Sequence, residues 1–224
     1  MNAVLEAIAQ RALEMVTAGQ IVGLGSGRAA AAFVRALGKR VGEGLSIRGI
    51  PTSESTAAIA REHRIPLVGL DAAEAIDITI DGADEVDPQL NLIKGYGHAL
   101  VREKIVAAAS KRLVILVGEE KLVPVLGARG ILPVEIVPFA APFCIRRLTG
   151  LGCAPQLRLD GERPKVSDNG NYILDCGIAP LRSPAELDES IRAIPGVVGT
   201  GLFLGMAERV LVGEGGGVRE LTRR

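Results

Sequence analysis

Side chains suited to proton transfer are concentrated in residues 77–107. A β-rich run there ends in an acidic cluster whose members are Asp81, Asp84, Glu85 and Asp87. Lys94 follows in a glycine-rich segment, and Glu103 falls in the first turns of a helical pattern that begins at Ala99. The chain has two histidines, one of them His98 in this stretch, so acid and base work near neutral pH falls mainly to carboxylates or lysines tuned by burial.

Each of these elements admits more than one interpretation. Clustered carboxylates can hold Mg²⁺ together with water or phosphate oxygens, or they can raise one another's pKa and so provide a proton donor. Lys94 can neutralise the cluster or stabilise an oxyanion, whereas a surface ion pair would contribute little. Glu103 also has a structural explanation, because a carboxylate near a helix N-terminus gains about 0.3 to 1 kcal/mol from the helix dipole.

Two turns that follow predicted strands could bind a phosphate group. The first, Gly-Leu-Gly-Ser-Gly-Arg at residues 23–28, lies between an apolar run and a helical pattern, where bare amides can face an anion. It has no Walker lysine, and a tight turn alone would also explain its glycines. The second, Pro-Thr-Ser-Glu-Ser-Thr at residues 51–56, is rich in hydroxyls, but Ser53 also suits a helix N-cap.

Strand and helix patterns alternate along the first part of the chain. After an N-terminal amphipathic helix, apolar runs typical of buried strands occur at 20–24, 46–50, 76–81 and 112–118. This alternation predicts an α/β fold with a doubly wound, mostly parallel, Rossmann-like sheet. In such sheets ligands bind beyond the carboxyl ends of the strands, where both turns, the acidic cluster and Lys121 are expected.

The order of predicted strands and helices changes near residue 131. From there to residue 205 the predicted order is β-α-β-β-α-β, which is typical of ferredoxin-like α+β domains. An apolar run at 207–213 could return to the first sheet. We therefore predict a Rossmann-like catalytic domain formed by residues 1–130 and 206–224, and a smaller ferredoxin-like domain formed by residues 131–205.

Composition excludes several classes of protein. The 26 basic and 26 acidic side chains cancel, and aromatic residues make up 3% with no tryptophan, which argues against nucleic-acid binding. No run of 18 or more apolar residues predicts a membrane span. The three cysteines lack a CxxC pair, which disfavours a disulfide framework or a zinc site. With no signal-peptide pattern at the N-terminus, we expect a cytoplasmic protein.

The segments Asp-Gly-Ala-Asp-Glu at 81–85, Ile-Lys-Gly-Tyr-Gly at 93–97 and Arg-Glu-Lys at 102–104 closely resemble the signature of the type A ribose-5-phosphate isomerases. Further segments match that family in order, at residues 23–27, 51–53, 121, 132–135, 168–171, 194–198 and 201–203. The resemblance implies interconversion of ribose 5-phosphate and ribulose 5-phosphate through an enediolate, in the non-oxidative branch of the pentose phosphate pathway. It also implies that no metal or organic cofactor is used, and that the chain forms a homodimer or homotetramer.

The resemblance also implies a role for individual residues. Glu103 matches the general base, Asp81 assists ring opening and hydroxyl proton transfer, Lys94 stabilises oxyanion charge, and Asp84 holds substrate hydroxyls. The residues expected to bind the sugar or its phosphate are Gly25, Ser26, Gly27, Arg28, Ser53, Gly95, Gly97 and Lys121.

Some positions depart from the family pattern. Arg28 and Ala29 stand where the family's phosphate loop usually has Ser-Thr, so two hydroxyl donors are missing, and the Arg28 guanidinium could replace them. Leu5 stands where a basic residue often occurs. Tyr96 and His98 occupy positions that usually hold small residues, so the local backbone or pocket volume could differ.

Related folds carry two other functions that this sequence leaves open. A sugar-phosphate-sensing module would bind the ligand without turnover, although such regulators normally add a DNA-binding domain. An acyl-CoA transferase would need a nucleophilic carboxylate, which acyl-CoA would label covalently.

Overall fold

The computed structural model describes residues 3–72, 75–215 and 217–223. The helices in these residues are α1 (Ala3–Leu13), α2 (Gly27–Gly42), α3 (Glu54–Glu62), α4 (Leu100–Ala108), α5 (Ala141–Gly150) and α6 (Pro184–Arg192). The strands are β1 (Ile21–Leu24), β2 (Arg48–Pro51), β3 (Ile78–Gly82), β4 (Glu85–Val86), β5 (Leu92–Ile93), β6 (Leu113–Gly118), β7 (Ile131–Ile136), β8 (Ala154–Leu157), β9 (Leu159–Asp160), β10 (Arg163–Pro164), β11 (Tyr172–Gly177), β12 (Val197–Thr200), β13 (Leu202–Phe203), β14 (Arg209–Glu214) and β15 (Gly217–Thr222).

The chain forms two compact units. The first comprises Met1–Ala83, Arg102–Leu122 and Gly205–Arg224, and the second comprises Asp84–Val101 and Val123–Leu204. The first unit contains a six-stranded sheet in the order β15-β14-β6-β3-β1-β2. Its strands are parallel except β15, which pairs antiparallel with β14. The predicted return of the chain to this sheet near residue 209 is confirmed.

Both faces of the first sheet are covered by helices. One face packs against α1 and α2 through a buried aliphatic core that includes Ile8, Leu13, Phe33, Leu37, Ile78, Leu116 and Leu211. On the other face, Val106 of α4 packs with Ile21 and Ile50. Neighbouring residues of β1 therefore face opposite layers, as the side-chain alternation of a strand requires. This is the doubly wound α/β arrangement that the sequence predicts.

The second unit is built on a four-stranded antiparallel sheet in the order β12-β7-β11-β8. Together with α5 and α6 these strands run β-α-β-β-α-β along the chain, which confirms the predicted ferredoxin-like order. Its core is formed by buried aliphatic side chains and cysteines, among them Leu132, Val134, Cys144, Leu148, Leu174, Cys176 and Ile191. A small three-stranded sheet, β13-β5-β4, belongs to the same unit.

The two units divide the chain differently from the predicted boundaries 1–130 plus 206–224 and 131–205. Residues 84–101 and 123–130 cluster with the second unit. One reason is a pairing over a long sequence distance. β5 pairs with the nearby β4 on one side, and with the distant β13 on the other. Buried Glu85 adds to this by accepting hydrogen bonds from the amides of Gly127 at 2.6 Å and Arg129 at 2.7 Å.

Candidate active site

Asp81, the buried carboxylate at the end of β3, is held by the turn that follows β1. Its Oδ1 accepts hydrogen bonds from the backbone amides of Ser26 at 3.0 Å and Gly82 at 2.7 Å. Gly25 packs directly against it, and a β-carbon at position 25 would lie 2.5 Å from the Cα of Asp81. Gly25 is therefore needed for close approach, and the glycine turn positions a catalytic carboxylate candidate.

A cluster of hydroxyl groups lies beside this turn. Ser26 Oγ hydrogen-bonds with Thr52 Oγ1 and Ser53 Oγ, each at 2.8 Å, and with Thr56 Oγ1 at 3.3 Å. Ser53 also accepts from the Thr56 amide at 3.1 Å, which confirms it as the N-cap of α3. Thr56 Oγ1 in turn donates to the carbonyl of Gly25 at 2.9 Å. The two predicted turns are thus joined through their hydroxyls within the first unit.

The N-terminus of α2 is open to solvent beside this cluster. Gly27, the first residue of the helix, has φ +88°, and Gly27 and Arg28 are both exposed. The side chain of Ser26 does not cap the helix, because it is engaged with the hydroxyls of the neighbouring turn. Within the described part of the chain Arg28 forms no ion pair, so its guanidinium is available to an anion at the positive end of the helix dipole.

Glu103 lies in the first turn of α4 and is 5% exposed. The residue before it, Arg102, forms an ion pair with Glu54 at 2.9 Å, which ties the start of α4 to the start of α3. Lys121 is half-buried at the end of a short 3₁₀ helix, Glu119–Lys121, that follows β6. Both residues therefore belong to the first unit, with Asp81 and the hydroxyl cluster.

Lys94 belongs to the second unit, where it is 3% exposed. Its Nζ lies 5.5 Å from the ring centroid of Phe203, a cation–π distance. Its backbone amide donates to the carbonyl of Gly201 at 2.9 Å, and Gly201 has no room for a β-carbon because the carbonyl oxygen of Lys94 occupies that place. Gly201 accordingly separates β12 from β13.

The carboxylate of Asp84 supports the same segment. Asp84 Oδ2 accepts from the Tyr96 amide at 3.0 Å, and the Asp84 amide donates to the carbonyl of Ile93 at 2.8 Å. Asp84 is half-buried. The structure therefore brings Asp84 and the segment around Lys94 together in the second unit.

The other two members of the acidic cluster have structural partners. Glu85 is fully buried and binds the amides of Gly127 and Arg129 through its two oxygens. Asp87 closes a turn by accepting from the Gln89 amide at 2.9 Å and the Asn91 amide at 2.8 Å. Glu85 and Asp87 therefore each hold two backbone amides within the second unit.

The glycine-rich segment after Lys94 is a tight turn. Gly95 has φ +110°, and a β-carbon there would lie 3.0 Å from Leu100. Gly97 is exposed and has open space around it, so nothing in its surroundings explains the glycine. Two larger residues complete the turn, and His98 adopts φ +60° while its amide donates to the Gly95 carbonyl at 3.0 Å. Tyr96 and His98 are thus part of the turn itself.

Tyr96 and His98 are not the expected proton carriers at neutral pH. Burial, followed by the nearby carboxylate of Asp84, raises the pKa of Tyr96 to about 12. Burial, followed by the positive charges of Lys165 and Arg158, lowers the pKa of His98. Burial therefore disfavours the charged form of both side chains.

One residue that the sequence patterns do not reveal, Arg158, contacts this turn. Arg158 Nη1 donates to the carbonyls of Gly95 at 2.9 Å and Tyr96 at 3.1 Å, and Arg158 also pairs with Asp175. Arg158 lies 63 residues from Gly95 in the sequence, so no local pattern connects them.

Comparison with known proteins identifies the family. The family model described as ribose 5-phosphate isomerase A (phosphoriboisomerase A) matches residues 48–217. The chain belongs to this family. It is 49% identical over 216 residues to ribose-5-phosphate isomerase A of Roseiflexus castenholzii, covering 95% of this chain and 92% of that protein. To the same enzyme of Gloeobacter violaceus it is 51% identical over 215 residues, covering 96% and 94% of the two chains.

Solved structures of type A ribose 5-phosphate isomerases have the same fold. The Methanocaldococcus jannaschii enzyme superposes with a TM-score of 0.93 at 41% identity, covering 98% of both chains. A ribose-5-phosphate isomerase solved in complex with phospho-erythronic acid gives a TM-score of 0.95 at 37% identity over the full length of both. The present chain is thus an enzyme that isomerises ribose 5-phosphate. In the described residues no helix is long and apolar enough to cross a membrane.

Proposed function

We propose that Glu103 is the general base of this isomerisation. In that role it moves a proton between C1 and C2 of the open-chain sugar, so that ribose 5-phosphate and ribulose 5-phosphate interconvert through an enediolate. The observation that carries the assignment is the burial of Glu103 in the first turn of α4, where water competes little for the carboxylate. General acid–base catalysis of this kind contributes about 10² to 10⁴-fold in rate.

Asp81 assists ring opening and proton transfer between the sugar hydroxyls. Its support is geometric, because two backbone amides hold Oδ1 and so fix the orientation of the whole carboxylate. A fixed carboxylate loses little freedom when the substrate binds, which favours a reaction that depends on orientation.

Lys94 stabilises the negative charge that develops on the enediolate oxygen, and Asp84 holds substrate hydroxyls. Burial of Lys94 strengthens this effect, because a cation acts more strongly in a site with a low dielectric constant. Asp84 also anchors the turn that follows Lys94, because its Oδ2 accepts from the Tyr96 amide.

The phosphate binds at the N-terminus of α2. Gly25, Ser26 and Gly27 form the turn, Arg28 supplies charge in place of the missing hydroxyls, and Ser53 and Lys121 complete the set. The exposed helix N-terminus supports this assignment, because its amides and dipole attract an anion. Gly95 and Gly97 contribute backbone to the sugar side.

The test is a ribose 5-phosphate isomerisation assay with EDTA present, coupled to detection of ribulose 5-phosphate. Glu103→Gln is expected to keep the fold and lower kcat by at least about 10²-fold. Glu6→Gln is the matched control, because Glu6 lies in the first turn of α1 but is exposed. Turnover of Glu103→Gln near that of the parent enzyme would overturn the assignment, and loss of parent activity with EDTA would show that a metal takes part.

We also propose that the chain acts as a homodimer or homotetramer in the cytoplasm. Phe139 is 96% exposed, and Val137, Phe143 and Val198 are exposed near it in the second unit. Association would remove such apolar surface from water. Light scattering measures the assembly directly, and Phe139→Ser is expected to weaken it, whereas a monomeric parent protein would contradict the proposal.

A further inference from the structure

The side chain of Arg158 donates four hydrogen bonds, two of which hold the turn that follows Lys94. Nη1 donates to the carbonyls of Gly95 and Tyr96, at 2.9 and 3.1 Å. Nε donates to Asp175 Oδ2 at 2.9 Å, and Nη2 donates to Asp175 Oδ1, which makes the ion pair bidentate. The side chain of Arg158 is 15% exposed and that of Asp175 is 30% exposed, so the pair is shielded from most of the solvent.

The position of Arg158 is itself fixed by the sheet. Its backbone amide follows β8 and donates to the carbonyl of Ile173 at 2.9 Å, while Asp175 lies on β11, the central neighbour of β8. The guanidinium plane is thus oriented by a carboxylate on a rigid strand. This leaves one nitrogen, Nη1, directed at the turn.

The turn depends on such external support. Gly95 adopts φ +110°, and glycine loses more conformational entropy on ordering than other residues. On the amide side, Lys94 is held by the Gly201 carbonyl and Tyr96 by the Asp84 carboxylate. On the carbonyl side, Arg158 holds the carbonyls of Gly95 and Tyr96, the two residues that follow Lys94. The segment is therefore clamped from both sides.

We infer that Arg158, oriented by Asp175, is a positioning residue for catalysis: it keeps Lys94 and Asp84 in their working arrangement without touching the substrate. The inference rests on the proposed roles of Lys94 and Asp84. Arginine is required because its planar fork can engage the carboxylate and both carbonyls at once, whereas the single ammonium of lysine cannot cover both directions. A displacement of a catalytic group by about 1 Å can cost about 10²-fold in rate.

The first experiment measures kcat and KM for ribose 5-phosphate in Arg158→Lys, Arg158→Met and Asp175→Asn, with folding followed by circular dichroism and Tm. Arg192→Lys is the matched control, since Arg192 pairs with Asp188 in the same unit and is 65% exposed. We expect Arg158→Lys and Asp175→Asn to stay folded and lose about 10- to 100-fold in kcat, with KM within about threefold of the parent. The control keeps parent kinetics. If Arg158→Met does not fold, Arg158→Lys and Asp175→Asn still decide the outcome.

A double-mutant cycle with Lys94→Met separates positioning from a general structural role. If Arg158 acts through Lys94, Arg158→Lys loses little further activity once Lys94 has been replaced. Additive losses would overturn the inference, as would parent-like kcat in Arg158→Lys when Lys94→Met is inactive. Near-parent turnover of Lys94→Met would instead overturn the proposed role of Lys94 and, with it, this inference. The two failures therefore give different patterns.

Discussion

Gly25 and Asp81 are packed so closely that a β-carbon at position 25 would lie 2.5 Å from the Cα of Asp81. The neighbouring amide, of Ser26, holds Asp81 Oδ1. Gly25→Ala must therefore displace either the turn or the carboxylate. We expect the free energy of unfolding to fall by about 1 to 3 kcal/mol. We also expect the fold-decrease in kcat to exceed the fold-change in KM.

Denaturant titration and steady-state kinetics measure both effects. Gly42→Ala is the control, because Gly42 ends α2 with open space around it. Alanine is favoured over glycine in a helix by about 0.5 to 1 kcal/mol, so this variant should lose no stability. Parent-like stability and kcat in Gly25→Ala would show that the two residues are less tightly coupled than the structure indicates.

Arg28→Ala tests the phosphate end of the site. The phosphate does not react, so a group that grips it equally in the ground and transition states changes KM and leaves kcat unaltered. Loss of a charged hydrogen bond worth about 1.5 to 3 kcal/mol corresponds to a rise in KM of about 10- to 100-fold. Steady-state kinetics at several ribose 5-phosphate concentrations measure it.

Arg35→Ala is the control for charge, since Arg35 is exposed on the same helix. Its KM should stay near that of the parent at moderate ionic strength. An unchanged KM in Arg28→Ala would remove Arg28 from the phosphate site and leave the hydroxyls and helix amides to bind the anion.

Local patterns were sufficient to predict the two architectures. Apolar runs such as 112–118 identify strands buried on both faces, and the β-α-β-β-α-β order identifies the second sheet. The boundaries between the units were not predictable in the same way. β5 and β13 are two residues long, and their pairing joins Leu92 to Phe203, more than a hundred residues away, without any local signal.

The same limit applies to the site. The glycine turn, Asp81, Lys94 and Glu103 stand out by residue type and spacing, whereas Arg158 depends on a partner far along the chain. The acidic cluster shows the converse problem, because Glu85 and Asp84 look equivalent in sequence. Only the fold shows that Glu85 is fully buried against two amides, whereas Asp84 is half-buried and accepts from the Tyr96 amide.

This difference between Glu85 and Asp84 can be measured. Glu85→Gln replaces one of two acceptor oxygens with a donor facing a backbone amide, so it should lower the free energy of unfolding by about 1 to 3 kcal/mol. At temperatures where it stays folded, its kcat should remain within about threefold of the parent. Asp84→Asn should do the reverse. The free-energy loss calculated from its kcat/KM should exceed its loss in the free energy of unfolding. A catalytic defect in Glu85→Gln equal to that of Asp84→Asn would contradict this division.

The lowered pKa of His98 predicts that the free energy of unfolding depends on pH. Burial lowers its pKa in the folded state, Lys165 and Arg158 reinforce that shift, and Asp168 and Asp160 oppose it. The unfolded chain, with an ordinary histidine pKa of about 6.5, therefore binds a proton more readily than the folded chain. The free energy of unfolding is fully retained above pH 6.5 and falls as the pH drops through the folded pKa.

His98→Asn tolerates the φ of +60° and removes the titration, so its stability should fall less between pH 7.5 and 5.5. Urea titrations across this range measure the difference. Identical curves for His98→Asn and the parent would show that His98 is as solvated in the folded chain as in the unfolded one.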